Sequence, residues 1–421
     1  MSVRFDSIKV KSLIYFVIIY NLIIPFFVND FSFPSATMYL ADFINIILCL
    51  FSVGKFFRLF NKIGFGLVLI SILLYLGSLV IGIILNSVSP LLILWAMRNT
   101  FRFFVFFIAC ICFLEASDIN KIFNLLYKLQ IINFILSLYQ HFYLGLYQDR
   151  LGGIFGTQVG SNQYSNIFFC IILIHSVVSY LHKKATFTHM AFVILSTVIL
   201  AVFAELKFYY IEMVIIIFLS LLFCRPNRKT FTLVLLSIFA VILGLNILKN
   251  VAPLSYSVLT NYTNLMSYAD ISGIGGYNLS RINAFQQINH MFFNNNILLN
   301  LFGFGFGNAE MSSVSPLLTS DFYQQYGYLN YRWFAQQMQF IQTGYVGVAL
   351  FLFFFISILI CSLKIRKQMT GNKEYIAYIG VLVPILIINN WYNNAISTDV
   401  AYLTFFSLSV VAVIYKKQLK R

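Results

Sequence analysis

Residues 64–85 read GFGLVLISILLYLGSLVIGIIL, a run without a single charged side chain. A helix of this length extends about 33 Å, which is enough to cross the hydrocarbon core of a bilayer. Further apolar runs lie on either side of it, at residues 12–28, 38–53, 90–114, 122–144, 164–181, 190–204, 208–223, 231–248, 338–361, 375–390 and 400–415. The sequence therefore predicts an all-α integral membrane protein with about 12 transmembrane helices, folded as a single polytopic domain over residues 1–421.

The composition excludes a soluble domain. Hydrophobic residues make up 60% of the chain and charged residues 10%, and the mean hydropathy is +0.85. A water-soluble surface needs roughly a quarter of its residues charged. The net charge of +15 would suit a nucleic-acid partner, but the chain leaves no soluble basic domain to bind one. We therefore expect no nucleic acid as a partner.

The basic residues fall mainly in alternate gaps between the apolar runs. Twenty of the 28 lie in the gaps that share a side with the two termini. Because Lys and Arg mark the cytoplasmic side of a membrane, this asymmetry predicts that both termini are cytoplasmic. The gaps on the other side hold only Arg150, Lys207, Lys249, Arg281 and Arg332. Three more basic residues lie inside predicted spans, namely Arg98, Arg102 and Lys128.

Two of the predicted outer loops are long. Residues 145–163 carry an arginine followed by several glycines, and residues 249–337 form a loop of nearly ninety residues. Long loops in compact domains usually carry function. The larger loop is rich in amide and aromatic side chains, which suit sugar recognition, and a short helix is predicted from Arg281 to Met291 behind a Ser280 cap.

Arg98 and Arg102 are four positions apart and therefore share one face of their predicted helix. Because an unpaired arginine at that depth costs at least about 2.5–3.5 kcal/mol, the pair predicts a wet cavity that binds an anionic ligand. The alternatives are an internal ion pair and snorkelling of Arg98 to the outer interface. For an ion pair the sequence offers few carboxylates: Asp42, Glu205, Glu212 and Asp399.

The scarce outer cations are the second set of candidates for binding an anion. Arg150 precedes glycines whose backbone amides would approach an anion closely, and Arg281 opens the predicted loop helix. A guanidinium is a two-pronged partner for phosphate. Lipid headgroup contacts are the alternative for the arginines, and a surface pair with Glu205 is the alternative for Lys207.

Metal and disulfide chemistry are not expected. The cysteines lie in predicted spans or at their inner ends, and no cluster of His, Cys and Asp has metal-ligand spacing. We therefore expect neither a metal nor another cofactor.

Three segments resemble the signature motifs of O-antigen polymerases and ligases. RLGGIFG at 150–156, followed by Asn162, resembles the Arg-x-x-Gly-x-Phe…Asn signature that opens the core region of this family. Ser280-Arg281, followed by LFGFGFG at 301–307, is similar to the second signature, an arginine of the large outer loop before Gly-x-Gly-x-Gly. QTGYVG at 342–347 is similar to the third, a Gly-x-x-Gly at the start of the next span.

The resemblance implies a metal-independent glycosyltransferase that acts on undecaprenyl-diphosphate-linked oligosaccharides at the outer face of the bacterial cytoplasmic membrane. A polymerase of O-antigen or capsule would transfer one lipid-linked glycan onto another, surrounded by membrane lipid and with a chain-length regulator as a further partner. A ligase would instead transfer the finished chain to lipid A core. Family ligases have a His-Asn pair shortly before the third motif, whereas residues 332–339 read RWFAQQMQ, so the polymerase is favoured.

The resemblance also assigns roles to residues. Arg150 and Arg281 would hold the diphosphate. His290 does not occupy the family position, but it is a candidate base in the loop helix, with Glu310, Asp321 and Asp270 as alternatives that the sequence does not separate. The expected substrate-binding residues are Arg98, Arg102, Lys207, Arg332, Gly153, Asn162, Gly303 and Gly305. A flippase for the same lipid-linked oligosaccharides is the alternative from another class, although the chain lacks the internal repeat that carriers usually show.

Overall fold

The structure, a computed structural model, describes residues 7–224, 226–270 and 278–419. Within these residues the regular structure is helical and no strand occurs. The α-helices are α1 (Ser7–Asp30), α2 (Leu40–Ser52), α3 (Phe56–Lys62), α4 (Gly66–Leu85), α5 (Pro90–Phe113), α6 (Ala116–Phe142), α7 (Ser161–Leu181), α8 (Phe187–Phe203), α9 (Lys207–Phe223), α10 (Arg228–Val251), α11 (Pro253–Thr260), α12 (Tyr262–Asp270), α13 (Ala284–Ile288), α14 (Ile297–Phe302), α15 (Asp321–Tyr326), α16 (Ala335–Ile365), α17 (Glu374–Tyr392) and α18 (Ala401–Gln418).

In the described part of the chain, nine helical segments are long and apolar enough to cross a membrane. They comprise α1, α4, α5, α6, α7, α10, α16, α17 and the segment Ser35–Ser52, which includes α2. The described residues are thus all-helical, as predicted, and they contain several helices that suit a multi-pass membrane protein. Three further helices, α8, α9 and α18, coincide with predicted runs and are 17 or 18 residues long. The total of twelve spans stays a prediction.

Helices α7 and α17 lie at the centre of the bundle. In the most apolar stretch of α7, 89% of the residues are buried, and in that of α17, 72%, against 28% in α10. Such a gradient is expected when the outer helices turn their apolar side chains toward lipid. At the centre, the buried carboxylate of Glu212 in α9 accepts hydrogen bonds from Asn166 Nδ2 at 3.0 Å and Asn389 Nδ2 at 2.6 Å, which ties α7, α9 and α17 together.

The two ends of the bundle differ in chemistry. At one end, Lys11 Nζ lies 2.8 Å from Glu115 Oε1, and Lys416 Nζ donates to the carbonyl of Leu114 at 2.9 Å. These contacts bring the start of α1, the α5–α6 turn and the end of α18 together, and we call this the basic end. The opposite end, the loop end, carries residues 143–160, 252–270 and 278–334.

The segment between α10 and α16 contains the five short helices α11–α15. The helix predicted from Arg281 to Met291 is shorter than expected, because Ser280 Oγ accepts from the backbone N–H groups of Ile282 (3.2 Å) and Asn283 (3.1 Å) and holds them in a turn. Regular helix therefore begins only at α13, and a π-helical turn, Asn289–Phe293, follows it.

Candidate functional site

Two adjoining cavities open at the loop end. The first, the Arg281 cavity, has a volume of about 710 Å³, and the second, the Glu310 cavity, about 580 Å³. Both are lined by loop residues and by helices, and the Glu310 cavity reaches the middle of α4, α5 and α16 at Tyr75, Phe104 and Phe351. They adjoin because they share the lining residues Met38, Gln158, Tyr164 and Asn394. Together they form a polar basin large enough for parts of two ligands.

The guanidinium of Arg281 is held by aromatic rings. Its centre lies 4.4 Å from the ring of Tyr268, 4.8 Å from Phe334 and 5.9 Å from Tyr392. Nη1 donates to the carbonyl of Tyr268 at 3.1 Å, whereas Nε is buried and has no hydrogen-bond partner among the described residues. No carboxylate of the described residues lies within salt-bridge distance of Arg281. The positive charge is therefore fixed in place and available to an anion.

Lys207 is the second cation of the Arg281 cavity. Its Nζ lies 5.1 Å from the ring of Tyr268 and 3.7 Å from Glu205 Oε2. The predicted alternative, a pair with Glu205, is thus present, but the pair is long and Glu205 Oε1 also accepts from Gln148 Nε2 at 2.8 Å. Lys207 lines the cavity together with Arg281, so the two cations share one binding surface.

An apolar groove of about 260 Å³ adjoins the Arg281 cavity. Its walls come from α9, α11, α12 and α17, with Ile211, Leu259, Leu265 and Ile388 among them. The groove and the cavity meet at four shared residues, namely Lys207, Tyr268, Arg281 and Tyr392. A ligand with an anionic head and an apolar tail would find partners for both parts at this junction.

The loop that carries the first glycine motif forms one wall of the Arg281 cavity, and Gly153 lies behind that wall. Gly153 has a φ of +59°, and its N–H donates to Gln140 Oε1 at 2.8 Å. A Cβ at this position would lie 2.0 Å from Asn133 Oδ1, so only glycine allows the loop to lie this close to α6. Gly153 is buried and lies outside the cavity lining, whereas Asn162 lines the cavity and donates to Asp149 Oδ1 at 2.9 Å.

Two of the residues assigned to catalysis lie outside both cavities. Arg150 is exposed, and its Nε donates to the carbonyl of Thr157 at 3.4 Å. His290 is exposed on the π-helical turn and lines neither cavity. Of the three residues assigned to catalysis, Arg150, Arg281 and His290, the structure brings only Arg281 into the basin.

The two intramembrane arginines line the Glu310 cavity and are ion-paired there. Arg98 Nε donates to Asp42 Oδ2 at 2.8 Å, and Arg102 Nη1 lies 3.1 Å from Asp42 Oδ1 and 2.8 Å from Asp399 Oδ1. Tyr402 donates its hydroxyl to Asp42 Oδ1 at 3.1 Å. The ion-pair alternative is therefore present, and both arginines line the cavity as well.

Glu310 enters the same cavity from the long loop segment. Its side chain is buried, and its carboxylate accepts hydrogen bonds from Asn99 Nδ2 at 2.9 Å and Gln342 Nε2 at 3.1 Å. Burial raises the pKa of Glu310 above its ordinary value, against the opposing effect of Arg332 and the two amide donors. Arg332 lines the cavity too, and among the described residues it has no carboxylate within salt-bridge distance.

The second and third glycine motifs position Glu310. Gly303 has a φ of +67°, and a Cβ there would lie 2.5 Å from backbone atoms of Gln342 and Thr343. Gly305, with a φ of +89°, would meet the carbonyl of Gly82 in α4 at 2.8 Å. Gly344 interrupts α16 with a φ of +60° where this loop packs. None of these glycines lines a cavity; instead they let the loop pack tightly beside the position where Glu310 turns inward.

The aromatic rings that hold Arg281 and the amides that hold Glu310 were not identified from the sequence. Tyr268 and Tyr392 are far from Arg281 in sequence, and Asn99 is far from Glu310. Asn99 lies between Arg98 and Arg102 in an apolar run. It was the sequence signal for a polar contact at this point, because buried amides need hydrogen-bond partners. No family model matches the chain, and no curated protein matches it.

Proposed function

We propose that the protein is a polysaccharide polymerase that transfers an undecaprenyl-diphosphate-linked glycan onto another lipid-linked repeat unit. The observation that carries this proposal is the junction at Arg281, where a polar cavity, an apolar groove and a guanidinium without a carboxylate partner among the described residues meet. A polyprenyl diphosphate has the matching parts: an apolar chain, a diphosphate and an attached sugar. The motif resemblance supports the same substrate class.

We infer that the loop end faces the outside of a bacterial cytoplasmic membrane and that both termini are cytoplasmic. The excess of Lys and Arg in the gaps on the side of the termini supports this orientation. Twelve spans follow if α8, α9 and α18 cross the membrane together with the nine longer segments. In this orientation, the large loop and both cavities face the compartment in which lipid-linked glycans are polymerised.

In the proposed reaction, the anomeric carbon of the donor glycan exchanges one oxygen for another. Its bond to the diphosphate oxygen breaks, and undecaprenyl diphosphate leaves with the bonding electrons. The hydroxyl oxygen of the acceptor sugar forms the new glycosidic bond and gives up its proton to a base. Arg281 and Lys207 would stabilise the charge that develops on the leaving diphosphate, and a single donor of this kind contributes about 2.7–4 kcal/mol in other enzymes.

The polymerase is favoured over its two alternatives by separate features. A ligase of this family would carry a histidine in residues 332–339, and this chain has none there. A flippase would need a cavity that reaches both ends of the bundle. The basin opens at the loop end, and none of the described residues that line it belongs to the basic end.

Gel analysis of the surface glycan in a deletion strain tests the proposal. Loss of a polymerase leaves glycans of a single repeat unit on the cell surface. Loss of a flippase leaves no surface glycan, and loss of a ligase leaves long chains that remain on the polyprenyl carrier. A ladder that collapses to one repeat supports polymerisation, whereas an unchanged ladder contradicts it.

A further inference from the structure

We propose that the Glu310 cavity binds the uncharged acceptor sugar and that Glu310 takes the proton from its attacking hydroxyl. This inference depends on the proposed polymerase function, and it assigns to the second cavity a ligand different from that of the first. It also selects one residue among the four candidate bases of the sequence.

Position and burial separate Glu310 from the other candidates. His290, Asp270 and Asp321 are exposed. Asp270 Oδ1 is already engaged by Ser280 Oγ at 3.2 Å and by Asn283 Nδ2 at 2.7 Å. Glu310 alone among the four lines one of the two cavities. A base must lie within reach of the proton that it takes, so geometry favours Glu310.

The partners of Glu310 orient its carboxylate without neutralising it. Each oxygen accepts one hydrogen bond from a neutral amide, Asn99 Nδ2 on one side and Gln342 Nε2 on the other. Among the described residues, no Lys or Arg lies within salt-bridge distance of the carboxylate. Because a carboxylate oxygen has two lone pairs, each oxygen keeps the capacity to accept a further hydrogen bond from a sugar hydroxyl.

The charges around the Glu310 cavity suit a neutral ligand. Two of its arginines, Arg98 and Arg102, are already ion-paired with Asp42 and Asp399. The third, Arg332, forms no salt bridge with a described residue, but its charge acts on the Glu310 carboxylate in the same cavity. The polar groups left to a ligand are mainly amides and hydroxyls. The rings of Tyr39 and Trp95 line the cavity too, each with one face against the Arg98 guanidinium. Amides read hydroxyl groups, and rings stack on the apolar faces of sugars, so this lining fits a sugar better than a phosphate.

The step balances in atoms and electrons. The acceptor hydroxyl oxygen forms the bond to the anomeric carbon while the carbon–oxygen bond to the diphosphate breaks. The hydroxyl proton moves to a carboxylate oxygen of Glu310 and then to solvent through the open cavity. No oxidant or reductant is needed. Because the cavities share Gln158, Tyr164 and Asn394 in their common wall, a donor in the first lies beside an acceptor in the second.

The test uses the full-length protein in detergent, with lipid-linked repeat units extracted from the deletion strain as substrate. We expect Glu310→Gln to lower the polymerisation rate at least about 100-fold, the usual range for loss of a general base. Binding of undecaprenyl diphosphate should be unchanged, because the carboxylate is not part of the Arg281 cavity. Asp321→Asn, an exposed carboxylate of the same loop segment, is the matched control and should retain the wild-type rate.

A second variant separates a base from a structural role. Glu310→Ala should regain activity when formate is added, because the small carboxylate enters the vacated space. The wild-type rate should rise with pH through the raised pKa of Glu310, which faces Arg98, Arg332 and Tyr331. In the Glu310→Ala variant with added formate, the rise of the rate with pH should instead follow the pKa of formate.

The outcomes distinguish this inference from the proposed function. If the wild-type protein makes no polymer, the proposed function fails and the inference falls with it. If the wild-type protein and Glu310→Gln polymerise equally well, only the role of Glu310 is overturned. An alanine variant that formate does not restore would also overturn it.

Discussion

The two cavities both contain arginines that lie over aromatic rings, but they differ in whether carboxylates also pair with them. In the Arg281 cavity, a guanidinium is held by three aromatic rings and a backbone carbonyl. In the Glu310 cavity, Arg98 and Arg102 also lie over aromatic rings. These two arginines are in addition paired with the carboxylates of Asp42 and Asp399. Rings orient a cation and leave its charge available, whereas carboxylates neutralise it. The presence of an arginine therefore does not identify an anion site. The groups that each arginine contacts show whether its charge is available to an anion.

The largest effect should come from removing the carboxylate that neutralises two arginines. Asp42→Ala leaves Arg98 without its carboxylate partner and leaves Asp399 as the one carboxylate paired with Arg102. Breaking a buried ion pair by removing one member costs about 3–5 kcal/mol. We expect the free energy of unfolding, measured by titration with SDS, to fall by about 3 kcal/mol. If Asp42→Ala unfolds like the wild-type protein, the arginines of the Glu310 cavity are not neutralised as described.

A substitution in the first glycine motif should disturb one cavity and spare the other. Gly153→Ala places a Cβ 2.0 Å from Asn133 Oδ1 at a φ of +59°, and overpacking of this kind costs about 1–3 kcal/mol. We expect weaker binding of undecaprenyl diphosphate, because the displaced loop forms a wall of the Arg281 cavity. Gly145→Ala is the matched control, since Gly145 also has a positive φ but no atom within 4 Å of the added Cβ. Equal losses in both variants would contradict a packing origin.

Much of the fold could be predicted from the sequence, because a membrane-spanning helix is recognised from one continuous apolar run. The run 64–85 became α4 (Gly66–Leu85), and the glycine of the third motif, Gly344, interrupts α16. The candidate site was less predictable, because its key contacts join distant segments. The rings around Arg281 come from α12, the loop before α16 and α17, and no local pattern records that pairing. Sequence also could not distinguish exposed His290 from buried Glu310, since burial depends on how the loop packs.

Removing the Arg281 guanidinium, which no carboxylate of the described residues neutralises, should weaken ligand binding directly. We expect Arg281→Ala to reduce the affinity for undecaprenyl diphosphate by about 1.5–3 kcal/mol, or roughly 10- to 150-fold, measured with the purified protein. Arg281→Lys should recover only part of the affinity, because an ammonium cannot make the two-pronged contact. Arg58→Ala, an exposed position of α3, is the control. Wild-type affinity in Arg281→Ala would reassign the cavity to an uncharged ligand.

The smallest effect is expected for Arg150, although the motif resemblance gives it the same role as Arg281. Arg150 is exposed, and its Nε makes one long hydrogen bond, 3.4 Å, to the carbonyl of Thr157. It lines neither cavity. Exposed charges contribute at most about 1 kcal/mol to a contact and are screened by salt. We therefore expect Arg150→Ala to lower the affinity for undecaprenyl diphosphate less than about fivefold, with the difference vanishing at high salt. An effect as large as that of Arg281→Ala at high salt would mean that the loop moves and carries Arg150 into the cavity when ligand binds.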